Sequence, residues 1–592
     1  MRTAAEPGVP GGPAPSAVAP GDPGRAAELL EEVRALDAAI RGRAELWIGA
    51  EPTFTLRQSQ DPEWLIQAEG GQKLSKGKEL LEALVSELGV PARFVRAQGR
   101  SFPGEPQPRF CLAAEWARGT SGRPVTSSAP LLDGPLESVP PPHPERAWLT
   151  VTPDPGVVEV NLPPSADLEA FLTLAEAAYR AADLSGLSPE RFRFNGEATD
   201  SGGGGQITLG GPTPEASPFF LHPWLLPALL RYLQRHPSLS YAFAGECVGS
   251  ASQGPRPDEG VRERFEELAV SLDRLESRGR SVTPDELWEA LAPLLVDASG
   301  NTHRAEVNVE KLWNPGLGTR GRGGVVELRS LRMPRTPRQL VAIAALFRGI
   351  CARLVNSPSV GPLREWGAAL HEQWALPFFL ERDLDEVLED LTLHGVPLGP
   401  IVTAALRERE PPIWTASAPG ALLEVRPALE FWPLLGDVAS QETMPVRMVD
   451  PSTRRLEIRL TLDPGVPRGR VGARGWEAPL DLASHGADRD VLLAVVRYRA
   501  FRPSPGLHPG LGAEDPLELT WEHRGTRTGV RLHAWKPEGG AYADLPRDAD
   551  DAAWRRRARV VPLDESASAP LRPAPPLATT HPTLDLRRLS SD

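Results

Sequence analysis

The amino-acid sequence predicts an α+β protein whose C-terminal domain is rich in β-strands. Four short segments between residues 156 and 331 alternate apolar and polar side chains, as β-strands do. Segments with apolar residues at helical spacing lie between and after them, up to about residue 410. From about residue 412, strand-like runs separated by Gly, Pro and Asp are typical of a small antiparallel sandwich or barrel.

Composition and charge limit the class of protein. A chain of 592 residues is too long for one hydrophobic core, so about two to four domains are expected. A content of 41% hydrophobic and 24% charged residues is typical of a soluble globular protein. The formal net charge of −13 argues against a nucleic-acid partner, because nucleic acids bind to basic surfaces.

Cysteine usage and apolar runs bear on the compartment. Cys111, Cys247 and Cys351 lie far apart and match no zinc-binding or disulfide pattern, which favours a reducing compartment. The N-terminal residues lack the apolar core of a signal peptide, and no run approaches membrane-spanning length. We therefore expect a cytoplasmic protein without a membrane partner.

Changes in composition along the chain predict seven divisions. They are a disordered N-terminus at 1–24, an N-terminal α/β part at 25–118, a Pro/Ser-rich linker or insertion at 119–146, a sheet domain with the candidate catalytic residues at 147–335, a helical segment at 336–411, a β-rich C-terminal domain at 412–561 and a Pro-rich tail at 562–592.

The polar faces of three predicted strands carry carboxylate, amide and guanidinium groups instead of the Lys, Thr and Ser of an ordinary solvent-facing sheet. Carboxylates on neighbouring strands are suitable ligands for Mg²⁺, and arginines two positions away neutralise phosphate charge. The alternative is a sheet face of Glu–Arg ion pairs, but repetition over three strands favours a site. The residues are Glu159 and Asn161 in GVVEVNL, Arg304 and Glu306 in NTHRAEVNV, and Glu327 and Arg329 in GVVELRSL.

The fourth strand, GQITLGG, follows a glycine run at Gly202, Gly203, Gly204 and Gly205. Consecutive glycines let backbone N–H groups approach an anion, although by itself the run is better explained as a flexible hairpin. The loop SASQGPRPDEG places Arg256 either on a solvated turn or in the same cleft. The segment GLGTRG leads into a strand, not a helix, and no P-loop motif is present.

At these motifs the chain resembles a bacterial family of amidoligases, domain of unknown function 2126, which is often fused to a transglutaminase-like domain. The resemblance runs from LWIGAEPTF through VTPDPGVVEVNL, SQGPRPDE, GNTHRAE and VELRSLRMP to GGAYADLP and TLDLRR, so it covers nearly the whole chain. The family is remotely similar to carboxylate–amine ligases of the glutamine synthetase and glutamate–cysteine ligase type.

The resemblance implies a curved antiparallel sheet, like that of glutamine synthetase, whose inner face holds ATP and Mg²⁺. It implies that a carboxylate becomes an acyl phosphate, from which an amine then displaces phosphate. The partners would be small-molecule or peptide carboxylates and amines, with a transglutaminase-like protein as a further candidate; the oligomeric state stays open. The implied roles are Mg²⁺ ligation by Glu159, Asn161, Glu306 and Glu327, catalysis by Arg304, Arg329 and the position of Gln206, and nucleotide binding by Gly202, Gly203, Gly204, Gly205 and Arg256.

Three positions depart from the family pattern. The family's glycine run ends in Asn-His where this chain has Gly205–Gln206, and histidines are usual at the positions of Pro163 and Ala198. Glutamine cannot exchange a proton near neutral pH, so these changes suggest altered catalysis. The alternative function is therefore a catalytically degenerate protein that binds a nucleotide or peptide or acts as a scaffold.

Overall fold

The computed structural model describes residues 23–65, 67, 70–98, 110–119, 143–438, 446–485, 489–502, 512–563 and 570–589. The predicted disordered N-terminus and linker fall mostly on 1–22 and 120–142, which lie outside the described residues. The predicted α+β class is confirmed, since antiparallel sheets and helices both make up the fold.

The N-terminal part is built on one eight-stranded sheet with the order β2-β3-β4-β5-β1-β8-β10-β9. Its paired neighbours are all antiparallel, and β6 and β7 form a separate hairpin. The strands are β1 (Trp47–Phe54), β2 (Arg93–Gln98), β3 (Phe110–Ala117), β4 (Arg146–Asp154), β5 (Val157–Asn161), β6 (Glu190–Phe192), β7 (Ala198–Asp200), β8 (Gly205–Gly210), β9 (Val307–Asn308) and β10 (Val326–Leu328).

Helices pack against the apolar side of this sheet or lie in the connections between its strands. They are α1 (Pro23–Ile40), α2 (Pro62–Leu65), α3 (Gly71–Leu88), α4 (Leu168–Leu184), α5 (Pro218–Leu221), α6 (Leu225–Arg235), α7 (Ser238–Tyr241), α8 (Arg262–Arg278), α9 (Pro284–Leu291), α10 (Glu310–Trp313), α11 (Gly318–Gly321), α12 (Pro337–Asn356), α13 (Ala368–Glu372), α14 (Pro377–Leu393), α15 (Pro400–Leu406) and, near the C-terminus, α16 (Ala549–Ala558).

Alternation along the central strands separates an apolar from a polar sheet face. On β1, Ile48, Ala50 and Phe54 are buried in the main hydrophobic core with Ile207 and Leu209 of β8. Helices α1, α3, α4, α6 and α12 contribute their apolar sides to the same core. The opposite side chains of these strands form the polar face on which the candidate site lies.

Helix α12 is the centre of the helical layer. The Thr336 hydroxyl caps its N-terminus by accepting a hydrogen bond from the Gln339 N–H at 3.2 Å. Among the described residues α12 is the one helix long and apolar enough to cross a membrane, contrary to the expectation that no run approaches that length. In this fold 89% of its apolar window is buried inside the protein.

The C-terminal part contains two larger sheets and a two-stranded arm, and it has a hydrophobic core of its own. The sheet orders are β11-β12-β15-β19-β25-β24, with β18 beside β19, and β22-β21-β20-β16-β17-β23. The strands are β11 (Trp414–Ala418), β12 (Ala421–Ala428), β13 (Leu434–Val438), β14 (Val446–Val449), β15 (Thr453–Leu462), β16 (Arg470–Ala473), β17 (Trp476–Ala478), β18 (Asp481–His485), β19 (Asp490–Arg499), β20 (Leu517–His523), β21 (Thr526–Leu532), β22 (Val560–Pro562), β23 (Arg572–Pro573), β24 (Thr579–Thr580) and β25 (Thr583–Asp585).

One prediction about elements, that of a strand, is wrong, and the structure adds detail to another, that of the Pro-rich tail. The strand predicted over residues 301–309 is restricted to β9, because 301–306 form turns and bends before it. The predicted Pro-rich tail is part of the fold over residues 570–589. There β25 pairs in parallel with β19, and the side chain of Leu584 is completely buried.

Candidate functional site

The candidate site starts from three neighbouring strands of the polar sheet face. Glu51 on the central strand β1 lies opposite Gln206 on β8, and Thr53 lies opposite Glu159 on β5. Directly opposed residues of antiparallel strands point to the same face. On the far side of β8, Thr208 lies opposite Glu327 of β10 in the same way. Pairing register therefore collects these polar side chains in one region.

A compact ion cluster occupies the Glu51–Glu327 side of this face. Lys311 Nζ donates to Glu51 Oε1 at 2.9 Å and to Glu327 Oε2 at 3.1 Å. Arg329 Nη1 donates to Gln206 Oε1 at 3.0 Å and also to Glu327 Oε1. The backbone carbonyl of His303 accepts from Arg329 Nε at 2.8 Å, which fixes the guanidinium plane. The structure thus brings Gln206, Glu327 and Arg329 together.

Glu159 and Asn161 lie on the β5 side of the same face. Asn161 Nδ2 donates to Glu159 Oε1 at 3.1 Å. Burial, followed by the neighbouring carboxylates of Glu51 and Asp154, raises the pKa of Glu159 to about 8. Electrostatic coupling to Glu51 and Lys311 shows that this carboxyl group and the ion cluster share one environment. In the absence of a bound cation, Glu159 keeps its proton at neutral pH.

The pKa of Glu327 moves in the opposite direction. Burial alone would raise it, but Lys311 and Arg329 outweigh burial and hold the pKa of Glu327 at about 2. The Lys311 pKa is raised well above its usual value, because its two carboxylate partners outweigh the loss of hydration. Both charges are therefore fixed across the physiological pH range.

Glu306, predicted to face the same metal ion, belongs to a different buried cluster. It precedes β9, and its backbone N–H donates to the Pro255 carbonyl at 3.0 Å. Its carboxylate accepts from the Ser240 hydroxyl, and Arg256 Nη1 lies 3.8 Å from Glu306 Oε1. The alternation that predicted a common face does not hold because the strand begins only after Glu306, at Val307.

Arg256 is not available to a nucleotide. Its side chain is 1% exposed, and Asp258 accepts from Nε and Nη2 at 3.0 Å each. The carbonyls of Leu233 and Gln234 and the Ser240 hydroxyl take further donors. This arginine fastens the loop to the end of α6, so the geometry gives no support to its predicted role in cofactor binding.

The glycine run does not present an open cradle of N–H groups. The N–H groups of Gly202, Gly203 and Gly205 donate to Asp200 Oδ1 at 2.9 Å, Ser201 Oγ at 3.4 Å and the Leu331 carbonyl at 3.1 Å. Positive φ angles of 91° at Gly202 and 89° at Gly204 explain why glycine is needed at those two positions.

Close packing explains the other two glycines. A Cβ at Gly203 would lie 2.7 Å from Thr53 Cγ2, and one at Gly205 would lie 2.4 Å from Pro334 Cδ. The predicted phosphate cradle is therefore replaced by a tightly packed turn. Gly202 and Gly204 still line the cleft described below.

Arg304 lies on the turn before β9, where its N–H donates to the Asn301 carbonyl at 3.2 Å. Because 301–306 are not a strand, the alternation that put Arg304 beside Glu306 does not apply. Its predicted catalytic role has no support from this geometry.

A cleft of about 240 Å³ opens beside the ion cluster, and Arg329 lines both. Arg332 also lines the cleft, yet its guanidinium has no hydrogen-bond or ion-pair partner among the residues that the structure describes. Burial, with Arg335 nearby, lowers the pKa of Arg332. Further lining residues are Asp200, Gly202, Gly204, Tyr241, Gly245 and Glu259.

Sequence reasoning missed Glu51, Lys311 and Arg332. The first had a signal, since alternation in LWIGAEPTF sets Glu51 and Thr53 against Ile48 and Ala50. Lys311 comes from the short helix α10 and had no signal in its spacing. The position of Arg332 beyond the end of β10 depends on the path of the loop.

The fold is α+β, and its antiparallel sheet places carboxylates and cations beside a cleft. This chain belongs to the family described as "Putative amidoligase enzyme (DUF2126)", whose model matches residues 25–135 and 125–587. No curated protein matches the chain. Membership supports a ligase-like function for the region that holds the sheet and the cleft.

Proposed function

We propose that the protein is an ATP- and Mg²⁺-dependent carboxylate–amine ligase that forms an amide or isopeptide bond through an acyl phosphate. The observation that carries this proposal is the arrangement of Glu51, Glu159 and Glu327 around Lys311 and Arg329 on one sheet face. Carboxylates to hold a cation and arginine to hold phosphate are the groups that such a reaction requires.

The donor chemistry fits Mg²⁺. Glu51, Glu159, Glu327 and Asn161 offer the hard oxygen atoms that this ion prefers. Glu51 and Glu327 both contact the ammonium of Lys311, so the space between them favours positive charge. The pKa of Glu159 is raised first by burial and then by the carboxylates of Glu51 and Asp154, and a divalent cation would favour the charged form of this group. We assign Glu51 to the set in place of Glu306.

The reaction balances in two steps. When bound, Mg-ATP supplies the terminal phosphoryl group, which the substrate carboxylate receives as ADP leaves. The amine then forms the C–N bond while the C–O bond to phosphate breaks, and the amine loses a proton. Arg329 is held by Gln206 and the His303 carbonyl at the edge of the cleft, where it balances charge on phosphate.

Glu259 is a candidate acceptor for the proton of the amine. It lines the cleft, where the Tyr241 hydroxyl donates to Oε1 and the Arg256 N–H donates to Oε2 at 2.8 Å. Burial and the neighbouring Asp258 raise the pKa of Glu259 to about 7, which suits exchange of a proton near neutral pH.

Nucleotide turnover tests the proposal. Purified protein is titrated with Mg-ATP and then incubated with a pool of carboxylic acids and amines while ADP and phosphate are measured. The proposal expects Mg-dependent ATP binding and substrate-dependent release of both products, each weakened by Glu327→Gln. Glu87→Gln is the matched control, because Glu87 forms an exposed pair with Arg180.

One observation favours a second function, binding without catalysis. Gln206 stands where the family carries histidine, and its amide oxygen is engaged by Arg329. Mg-ATP binding with no release of ADP for any acid and amine would support this degenerate form. Absence of nucleotide binding would contradict both functions.

A further inference from the structure

We propose that the cleft binds a free amino acid, with its carboxylate on Arg332 and its ammonium on Asp200. The inference deepens the proposed function, because it names the class of one substrate. It depends on two opposite charges that face the same cleft and have no ion-pair partner among the described residues.

Arg332 is unusual among the poorly exposed arginines of this chain. Arg231 pairs with Asp273 at 2.6 Å, and Arg353 pairs with Asp390 at 2.9 Å. Within the part of the chain that the structure describes, Arg332 has no comparable carboxylate, and only its backbone N–H is engaged, by the Phe243 carbonyl at 2.8 Å. A poorly hydrated guanidinium is costly unless an anion pairs with it. A ligand carboxylate would supply that anion.

Asp200 is the complementary group. Its Oδ1 accepts from the Gly202 N–H at 2.9 Å, and no cation among the described residues forms an ion pair with it. Two other carboxylates that line the cleft are engaged, since Arg193 donates to Glu246 and Tyr241 donates to Glu259. The Asp200 carboxylate is therefore the cleft group suited to an ammonium.

The opposite signs of the two charges indicate the kind of ligand. Asp200 and Arg332 influence each other electrostatically yet do not form an ion pair. A simple anion would satisfy Arg332 and leave Asp200 repelling it, whereas a zwitterion satisfies both. The side chain of the ligand then has the Arg329 end of the cleft available to it.

The size of the cleft agrees with a small ligand. Its volume of about 240 Å³ is below the roughly 300–1,000 Å³ of clefts that hold drug-sized molecules. Gly245 keeps room beside Asp200, because a Cβ there would lie 3.2 Å from Asp200 Oδ2.

Calorimetric titration of the full chain, without ATP, tests this site. The probes are the twenty common amino acids, with propionate and n-propylamine as ligands that carry only one of the two charges. At least one amino acid should bind, and each single-charge probe should bind at least about tenfold more weakly. Equal binding of propionate, or no binding of any amino acid, would overturn the proposal.

Two variants test whether Arg332 and Asp200 are the residues that bind the amino acid. Arg332→Gln and Asp200→Asn should each weaken amino-acid binding at least about tenfold, since each removes one charge-assisted contact. The controls are Arg338→Gln, on an exposed pair with Glu408, and Asp183→Asn, at an exposed position outside the cleft. Unchanged affinity in both cleft variants would overturn the assignment.

Stability measurements distinguish a role of Arg332 in ligand binding from a role in supporting the fold. The binding proposal makes the following prediction. Arg332→Met should leave the free energy of unfolding of the ligand-free protein unchanged or raise it, because a poorly hydrated charge without a partner is removed. A clear loss of stability would mean that Arg332 supports the fold, and the proposal would fail.

The outcome is separate from that of the ligase test. Amino-acid binding that needs Arg332, without ATP turnover, supports this site and contradicts the ligase function. ATP turnover only with substrates that are not amino acids supports the ligase function and contradicts this site.

Discussion

Glu159 and Glu327 lie on the same sheet face, but their pKa values move in opposite directions. Burial and neighbouring carboxylates raise the pKa of Glu159 to about 8, whereas Lys311 and Arg329 overcome burial and lower that of Glu327 to about 2. The difference arises because Lys311 and Arg329 both contact the Glu327 carboxylate directly, whereas Lys311 acts on Glu159 only through its charge. A bound cation would therefore have its largest effect beside Glu159.

The largest expected effect comes from removing Lys311, the cation that contacts both Glu51 and Glu327. Lys311→Met leaves the carboxylates of Glu51 and Glu327 without their ammonium, so we expect a loss of about 3 kcal/mol in the free energy of unfolding. Urea denaturation at pH 7 measures it. The control Lys76→Met breaks a surface pair with Glu79 and should cost less than about 1 kcal/mol. Equal losses would contradict the comparison.

The second prediction tests the arginine at the edge of the cleft. Arg329→Ala should lower ATP turnover about a hundredfold, because one positioned donor to phosphate is lost. Steady-state release of phosphate measures the change, and Arg338→Ala, on the exposed pair with Glu408, is the control. If Arg329→Ala folds and keeps full turnover, the arginine is a structural partner of Glu327 alone.

The third prediction uses the pH dependence of stability to distinguish Glu159 from Glu327. The unfolded chain releases the Glu159 proton near its usual pKa of 4.5, while the folded protein holds it up to about pH 8. The stability contribution of this group is therefore fully present below pH 4.5 and is lost as pH rises through about 8. Between pH 5 and 7 the loss should be about 2 kcal/mol, at the slope of one titrating group.

Glu159→Gln should remove that pH dependence, because an amide does not titrate. Thermal unfolding of both proteins between pH 5 and pH 8 is the measurement. If the wild-type protein and the variant show the same pH profile, the proton assigned to Glu159 is not there, and the contrast with Glu327 disappears.

The smallest expected effect concerns Gln206, whose amide oxygen accepts a hydrogen bond from Arg329. Gln206→His introduces the histidine that the family resemblance implies at this position, and it should raise turnover severalfold if that position exchanges a proton in the reaction. Single-turnover assays with Mg-ATP measure it. A fall in turnover would instead show that the hydrogen bond from Arg329 to the Gln206 amide is the functional feature of this chain.

Local patterns predicted the polar residues that lie within regular strands. Glu159 and Asn161 share a face, as do Glu327 and its partner Arg329, because the alternation of side chains is fixed by the strand itself. The same reasoning failed at Glu306, because the strand begins one residue after it. Strand ends depend on pairing partners, which sequence spacing does not reveal.

By itself, then, the sequence determined the α+β class, the apolar helices and strands of the core, and which side chains alternate to the polar face. The tertiary structure alone decided that Glu51 lies opposite Gln206, that Lys311 reaches two carboxylates, and that Arg332 lines a cleft with no ion-pair partner in the described part of the chain. The physical reason is the distance along the chain over which each feature is determined. Alternation follows from the geometry of neighbouring residues, whereas register, charge pairing and burial depend on contacts between segments far apart in the chain.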